Sequence, residues 1–334
     1  MARVVDFARN PSVADLVGSA GFLARISGEI HYDVRRVRTI VRQEMENKRI
    51  GVIGLGLMGT AMSERLLEHG FDVRAWNRTR DKADPLIALG ARWSDNPLAD
   101  CDRVIISLYT SDIVKSVITQ LLDDSVAKRG TKEVSGKILI DTTTGVPEQS
   151  AAMCAHLASM GIRYLDAPIS GSSEQTRRGE ATVMVGGERE AFESCNDLWP
   201  MIGANIYHVG ASGSAAKMKL VSNLVLGLNR AALAEALVFA QGIGVDPASA
   251  LEVLRGSMAY SRVMDVKGQK MIQEDFTVQA RLAQHLKDVR LILASGVKLP
   301  LSETHCRLLE QAEAMGLGEA DNCAIIKAIQ QCQQ

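Results

Sequence analysis

From Lys48 onward the chain alternates short apolar runs with stretches whose apolar residues recur every three or four positions. GVIG has the continuity of a buried strand, and TAMSERLLEHG after it carries helical spacing and stops at Gly70. FDVRAWN reads as a second strand, DKADPLIALG as a short helix and ARWS as a brief strand. RVIISLY is apolar throughout, as a strand covered on both faces of a parallel sheet must be. SDIVKSVITQLL gives the next helix, KILIDTTT another buried strand, and VPEQSAAMCAHLASMG a helix with Pro147 near its first turn. RYLDAPIS, ATVMVGG and NIYHVG supply further strands. This alternation predicts a Rossmann-type doubly wound parallel sheet, an α/β fold with helices on both faces.

After Gly213 the strand signals stop. SAAKMKLVSNLVLGLNRAALAEALVFAQGIG is one long helical pattern, and DPASALEVLRGS, FTVQARLAQHLKDVRLILASG, LSETHCRLLEQAEAMG and DNCAIIKAIQQC read as further helices. The boundaries follow: a dinucleotide-binding domain over 48–212 and an all-helical domain over 213–334, built on the long helix. A helix so long and so nearly apolar is hard to cover inside one small domain. It is expected to span the domain junction or a subunit interface, in a homodimer or homotetramer. Residues 1–47 stand apart, with VADLVGSAGFLARISGEI as one or two mildly amphipathic helices and DVRRVRTIVRQEMENKR as a charged one. They read as an appendage that packs on the domain or on a partner subunit, with an organelle-targeting role or a poorly ordered tail as the alternatives; Asp6, Asp15 and Glu29 count against targeting.

Composition narrows the partners. The formal charge of -1 on 334 residues argues against a general nucleic-acid binder, and no long apolar run free of charged or strongly polar interruptions argues for a membrane span. Six scattered cysteines without a C-x-x-C pair suit reduced thiols, which makes a cytoplasmic setting the default. The six histidines show no H-E-x-x-H spacing, and no metal is assigned.

Candidate chemistry begins in KRIGVIGLGLMG. Gly54 allows a tight turn, Gly56 lets a pyrophosphate approach bare backbone, and Gly59 lets helix and strand pack closely, with the helix amides facing the anion. At the end of the second strand, where an NAD enzyme usually places a carboxylate, stand Asn77, Arg78 and Thr79. A guanidinium and a hydroxyl there suit the 2′-phosphate, so NADP(H) is the expected cofactor and NAD(H) the alternative. Thr142, Thr143 and Thr144 follow a strand; Ser170, Gly171 and Ser172 offer small side chains and bare amides to a carboxylate. Lys219 and Asn223 are four residues apart on one face of the long helix. A lysine on a helix is ordinarily a solvated one, and spacing alone does not separate that reading from a catalytic one.

GLGLMG at 54–59, DTTTGVP at 141–147, DAPISGS at 166–172, GASGSAAKMKLVSN at 210–223 and KDVRLILA at 287–294 together resemble the β-hydroxyacid dehydrogenase family, in the family's order and context from Lys48 nearly to the end. That resemblance implies an enzyme passing hydride between a nicotinamide and a small carboxylate substrate. Lys219 would be the general acid, Asn223 its substrate-binding companion, and Ser170, Gly171 and Ser172 the substrate-carboxylate cradle. The expected cofactor contacts are Gly54, Gly56, Leu57, Met58, Gly59, Asn77, Arg78, Thr79, Leu108, Tyr109, Thr144, Lys287 and Asp288. WNRT and the SGS ending resemble the NADP-preferring glyoxylate and succinic semialdehyde reductase branch. Three positions depart from the family pattern: Ala215 for a frequent Gly, Ser222 for a frequent Asn, and Ala280 where glyoxylate reductases place an aromatic, which reshapes the substrate pocket. The alternatives are a 3-hydroxyisobutyrate dehydrogenase acting with NAD, an imine reductase, and a non-catalytic dinucleotide-binding module. The last two fit less well with Lys219 in place.

Overall fold

The computed structural model describes residues 48–129 and 134–332. The helices expected before Lys48 lie outside these residues.

The chain runs β1 (Arg49–Ile53), α1 (Leu57–Glu68), β2 (Asp72–Trp76), a 3-10 turn (Arg80–Ala83), α2 (Asp84–Ala88), β3 (Arg92–Trp93), α3 (Pro97–Asp100), β4 (Arg103–Ile106) and α4 (Ser111–Arg129). It continues through β5 (Ile138–Asp141), α5 (Pro147–Ala158), β6 (Arg163–Asp166), β7 (Ile169–Ser170), α6 (Ser173–Arg177), β8 (Thr182–Gly186), α7 (Arg189–Glu193), α8 (Trp199–Ile202) and β9 (Asn205–Gly210). The strands form one sheet in the order β3-β2-β1-β4-β5-β6-β8-β7, with β9 also on β8. Strands β1 to β6 pair in parallel, joined by crossovers, as the alternation predicts.

Two features correct the expected sheet. RYLDAPIS is two strands, because Pro168 can give no ladder N–H. β8 runs antiparallel to both of them, since the intervening α6 has only five residues and cannot serve as a full parallel crossover. Ile50, Val52, Met62, Leu66 and Ile140 belong to the core on one face, and Ile53, Ile106, Val114, Ile118 and Leu157 to the core on the other.

The helical part is α9 (Ser214–Gly242), α10 (Pro247–Arg255), a π turn (Met264–Gly268), α11 (Gln269–Ile272), α12 (Leu282–Leu293), α13 (Pro300–Ala312) and α14 (Ile325–Gln331). Leu233, Leu237, Leu286, Leu309 and Ile325 lie in its core. α9 serves both domains: it contacts α5 and strands β6 to β9 as well as α12, α13 and α14. By length and composition it could cross a membrane, yet it contributes buried residues to both parts of this fold.

The run FTVQAR, expected to begin a helix, is not helical; Asp321 Oδ2 accepts from the backbone N–H of Gln279 (2.9 Å) and Ala280 (3.1 Å), and α12 starts only at Leu282. The π turn and α11 were not foreseen. Gly268 weakens the helical signal there, and it is needed because a Cβ would come within 2.6 Å of Leu251.

Candidate active site at the domain junction

The glycine turn has the geometry its sequence calls for. Gly54 has φ +97°, and its N–H donates to the Trp76 carbonyl at 2.9 Å. A Cβ on Gly54 would stand 2.2 Å from the Ser107 carbonyl oxygen, and one on Gly59 would stand 1.9 Å from that of Gly54. Gly56 faces open space. A dinucleotide pyrophosphate needs that arrangement: strand and helix drawn together, with an uncovered backbone at the mouth of α1. Leu57 is exposed there, and Met58 is half-buried with its sulfur 3.9 Å from the Thr176 hydroxyl.

Asn77 has a task that the sequence did not reveal. Its Oδ1 accepts from the Leu55 N–H at 3.0 Å and its Nδ2 donates to the Thr79 carbonyl at 2.9 Å, so the side chain ties the glycine turn to the end of β2. Arg78 and Thr79 are exposed beside it. Among the described residues, none forms an ion pair or hydrogen bond with the Arg78 guanidinium.

Lys219 and Asn223 lie in the first three turns of α9, both buried, at 6 % and 4 % exposure. Burial lowers the Lys219 pKa from 10.5 to about 8; Asp288 opposes the shift, while Lys287 and Arg230 reinforce it. Asn223 Nδ2 donates to Asp288 Oδ2 at 2.8 Å, and Lys287 Nζ pairs with Asp288 Oδ1 at 3.0 Å. Burial raises the Asp288 carboxyl above its ordinary range, against the pull of Lys287 and Lys219. Lys287 also donates to the carbonyls of Thr144 (2.9 Å) and Tyr109 (3.1 Å), and sits 5.4 Å from the centre of the Tyr109 ring. α12 of the helical domain thereby grips the loops after β4 and β5. Leu108 N–H donates to the Thr143 hydroxyl at 3.1 Å, which joins those two loops to each other.

Ser170, at the end of β7, lies with its hydroxyl 3.3 Å from that of Ser222, the neighbour of Asn223 on α9. Ser172, read from sequence as part of the cradle, has its hydroxyl committed elsewhere: it accepts from the Gln175 N–H at 3.2 Å, while Gln175 Oε1 accepts from the Ser172 N–H at 2.9 Å. That is a capping box on α6. Gly171 lies between them, and a Cβ there would be 3.0 Å from that of Ala181.

Sequence reasoning missed Asp166. Its two carboxylate oxygens accept from the N–H of Gly213 (2.9 Å) and Ala216 (3.0 Å), at the start of α9. Gly213, with φ +89°, offers no side-chain cap of its own, so the sheet supplies one. The only available signal was the presence of Asp166 inside the DAPISGS motif.

Comparison with known proteins agrees with this geometry. Residues 49–210 match the NAD binding domain of 6-phosphogluconate dehydrogenase, and residues 213–329 match the NAD-binding domain of NADP-dependent 3-hydroxyisobutyrate dehydrogenase. The chain is 34% identical to 2-(hydroxymethyl)glutarate dehydrogenase of Eubacterium barkeri, over 85% of this chain and 95% of that one. It is 29% identical to glyoxylate/succinic semialdehyde reductase 2, chloroplastic, of Arabidopsis thaliana, over 86% and 81%. A solved structure of Psf3 in complex with NADP+ and 2-OPP superimposes with a TM-score of 0.75 at 26% identity, over 84% of this chain and 99% of the other. Two matched domains in register and a full-length relative above 30% identity make this chain a member of the β-hydroxyacid dehydrogenase family, an oxidoreductase acting on CH–OH groups.

Proposed function

We propose that this enzyme uses NADP(H) and interconverts a small aldehyde acid with its hydroxy acid, with Lys219 as the general acid. The observation that carries the reading is a buried lysine with its pKa drawn down to about 8, beside an asparagine held by Asp288. The class includes glyoxylate, succinic semialdehyde and tartronate semialdehyde, and the hydroxymethyl acids 3-hydroxyisobutyrate and 2-(hydroxymethyl)glutarate.

When bound, the nicotinamide supplies or accepts the hydride. The chain's own residues do the rest. Lys219 holds a proton at Nζ and gives it to the carbonyl oxygen as negative charge grows there; a positioned acid of this kind contributes roughly 10²- to 10⁴-fold. A pKa near the working pH lets the same group take the proton back in the oxidative direction. Asn223, fixed by Asp288, orients the same oxygen. The Ser170 hydroxyl and the Gly171 backbone hold the carboxylate and so select the carbonyl face presented to the nicotinamide. Lys287, on the carbonyls of Thr144 and Tyr109, keeps the helical domain against the cofactor loops.

Support for NADP(H) comes from the exposed Arg78 and Thr79 at the end of β2, where no carboxylate would repel a phosphate. Following NADPH absorbance against a panel of these acids, and repeating with NADH, tests the reading. Arg78→Ala should lower kcat/KM for NADPH by at least about tenfold, the scale of one charged hydrogen bond, and leave that for NADH nearly unchanged. An unchanged NADPH to NADH ratio would sink the cofactor assignment.

We infer further that the enzyme is a homo-oligomer. Met218, Val221, Val225 and Phe239 stand on the face of α9 opposite Lys219, with Ile243 just past its end, each between 45% and 64% exposed.

A further inference from the structure

Eleven residues beyond Lys219, Arg230 returns to the same face of α9, within about 20° at 3.6 residues per turn. Its side chain is buried, at 3 % exposure, and neither Nε nor Nη1 meets an acceptor. Two histidines from other helices join it. His285 of α12 and His305 of α13 are 6 % and 3 % exposed, their rings are 5.2 Å apart, and the Nε2 of each lacks a partner. They close on α9 at Gly227, where a Cβ would stand 2.6 Å from His285 Nε2 and 2.6 Å from His305 Cε1. Lys219, His285 and His305 all lie near enough to Arg230 to feel its charge.

The carboxylate that Arg230 senses is already taken. Asp321 pairs with Lys267 at 2.8 Å and accepts from the N–H of Gln279, Ala280 and Cys323. Two nitrogens of a buried guanidinium left without acceptors are a costly arrangement, which an anion from outside the chain would relieve. Burial holds both imidazoles neutral, leaving one positive charge at the cluster. One charge matches one carboxylate. The Cα atoms of Lys219 and Arg230 are about 16 Å apart along the helix, and their side chains bring the two charges near enough to interact. A molecule reacting at Lys219 and reaching Arg230 needs several carbons between the two ends.

We propose that Arg230, with His285 and His305, forms a second carboxylate subsite, and that the substrate is accordingly a hydroxymethyl acid or semialdehyde with two carboxylates. One is held at Ser170 and Gly171 and the other at Arg230. The proposal rests on the reading of Lys219 given above.

Two hydroxy acids isolate the effect. 3-Hydroxyisobutyrate and 2-(hydroxymethyl)glutarate share the reacting end, but the first carries a methyl where the second carries an arm ending in a carboxylate. Their oxidation with NADP+ is compared in the wild type, Arg230→Met and Arg230→Lys. The wild type is expected to favour the dicarboxylate by roughly 100-fold in kcat/KM; Arg230→Met abolishes that preference with little change for the monocarboxylate, and Arg230→Lys keeps part of it. A wild type without the preference, or an equal loss on both acids in Arg230→Met, overturns the subsite.

Calorimetric binding of glutarate and butyrate, which carry no hydroxymethyl group, separates this proposal from the reaction. Tighter binding of glutarate by on the order of tenfold, lost in Arg230→Met, upholds the subsite even if neither hydroxy acid is turned over, an outcome that overturns only the reaction assigned above. Equal binding of glutarate and butyrate to the wild-type chain overturns the subsite without reference to any variant.

Discussion

At the scale of single residues, Lys219 makes the sharpest demand. On the proposal that it is the general acid, its pKa near 8 sets opposite pH profiles for the two directions of the reaction. Reduction needs the ammonium, so kcat/KM for the aldehyde should be level below about pH 8 and fall tenfold per unit above it. Oxidation needs the free amine, so its kcat/KM should rise tenfold per unit up to about pH 8 and then level off. Lys219→Ala should lower turnover by roughly 10²- to 10⁴-fold and remove this inflection, while NADPH affinity measured by fluorescence stays near that of the wild type. Activity within a few fold of wild type would show that another group supplies the proton.

The glycines of this site were legible in the sequence because their need is local. Gly54 is forced by its own φ of +97°, and Gly59 by the Gly54 carbonyl five residues back. Arg230 was not legible, since nothing near it in sequence reveals that its nitrogens end up without acceptors. Ser172 has a second task that its motif hid: its spacing from Gln175 is a helix-cap signature, and its hydroxyl accepts the cap's hydrogen bond.

At the scale of elements, α9 is the part that positions the chemistry, and its register against the sheet depends on Asp166. Removing that carboxylate leaves two buried N–H groups without acceptors, at a cost of about 2–4 kcal/mol. Asp166→Ala should therefore lower Tm by about 5–10 °C, and Asp166→Asn, which keeps one acceptor, by less. Scanning calorimetry checks both. A variant as stable as wild type would mean that α9 is held by its apolar contacts alone. The sequence pattern revealed that α9 exists and roughly how long it is. It could not reveal this cap, because the bonds join residues 47 and 50 positions apart. The extended FTVQAR run escaped for the same reason: Asp321, which holds it, lies 41 and 42 positions further on.

At the scale of the whole molecule, the two ends of α9 divide their loyalties. One face carries the polar stripe inward and the opposite face leaves Val225 and Phe239 at 51% and 64% exposure. On the proposed homo-oligomer, the wild type should sediment as more than one chain and Val225→Glu with Phe239→Glu as a monomer, because burying two unpaired carboxylates in an interface is costly. A mass unchanged by the pair would move the interface elsewhere. Domain order and the parallel half of the sheet were readable from alternation alone. The antiparallel turn at β8 was not, because five residues of α6 carry too weak a signal to reveal that a crossover is missing.

The bonds from Asp166 to Gly213 and Ala216 cross the boundary at which the two domains meet. A graft of the helical domain from one relative onto the dinucleotide domain of another, cut at the obvious place before Gly213, would separate a helix from the carboxylate that seats it. Recombination across this family should therefore succeed where the donor and the recipient agree at position 166, and a chimera that fails should be recoverable by restoring one side chain in the sheet rather than by repacking the helices.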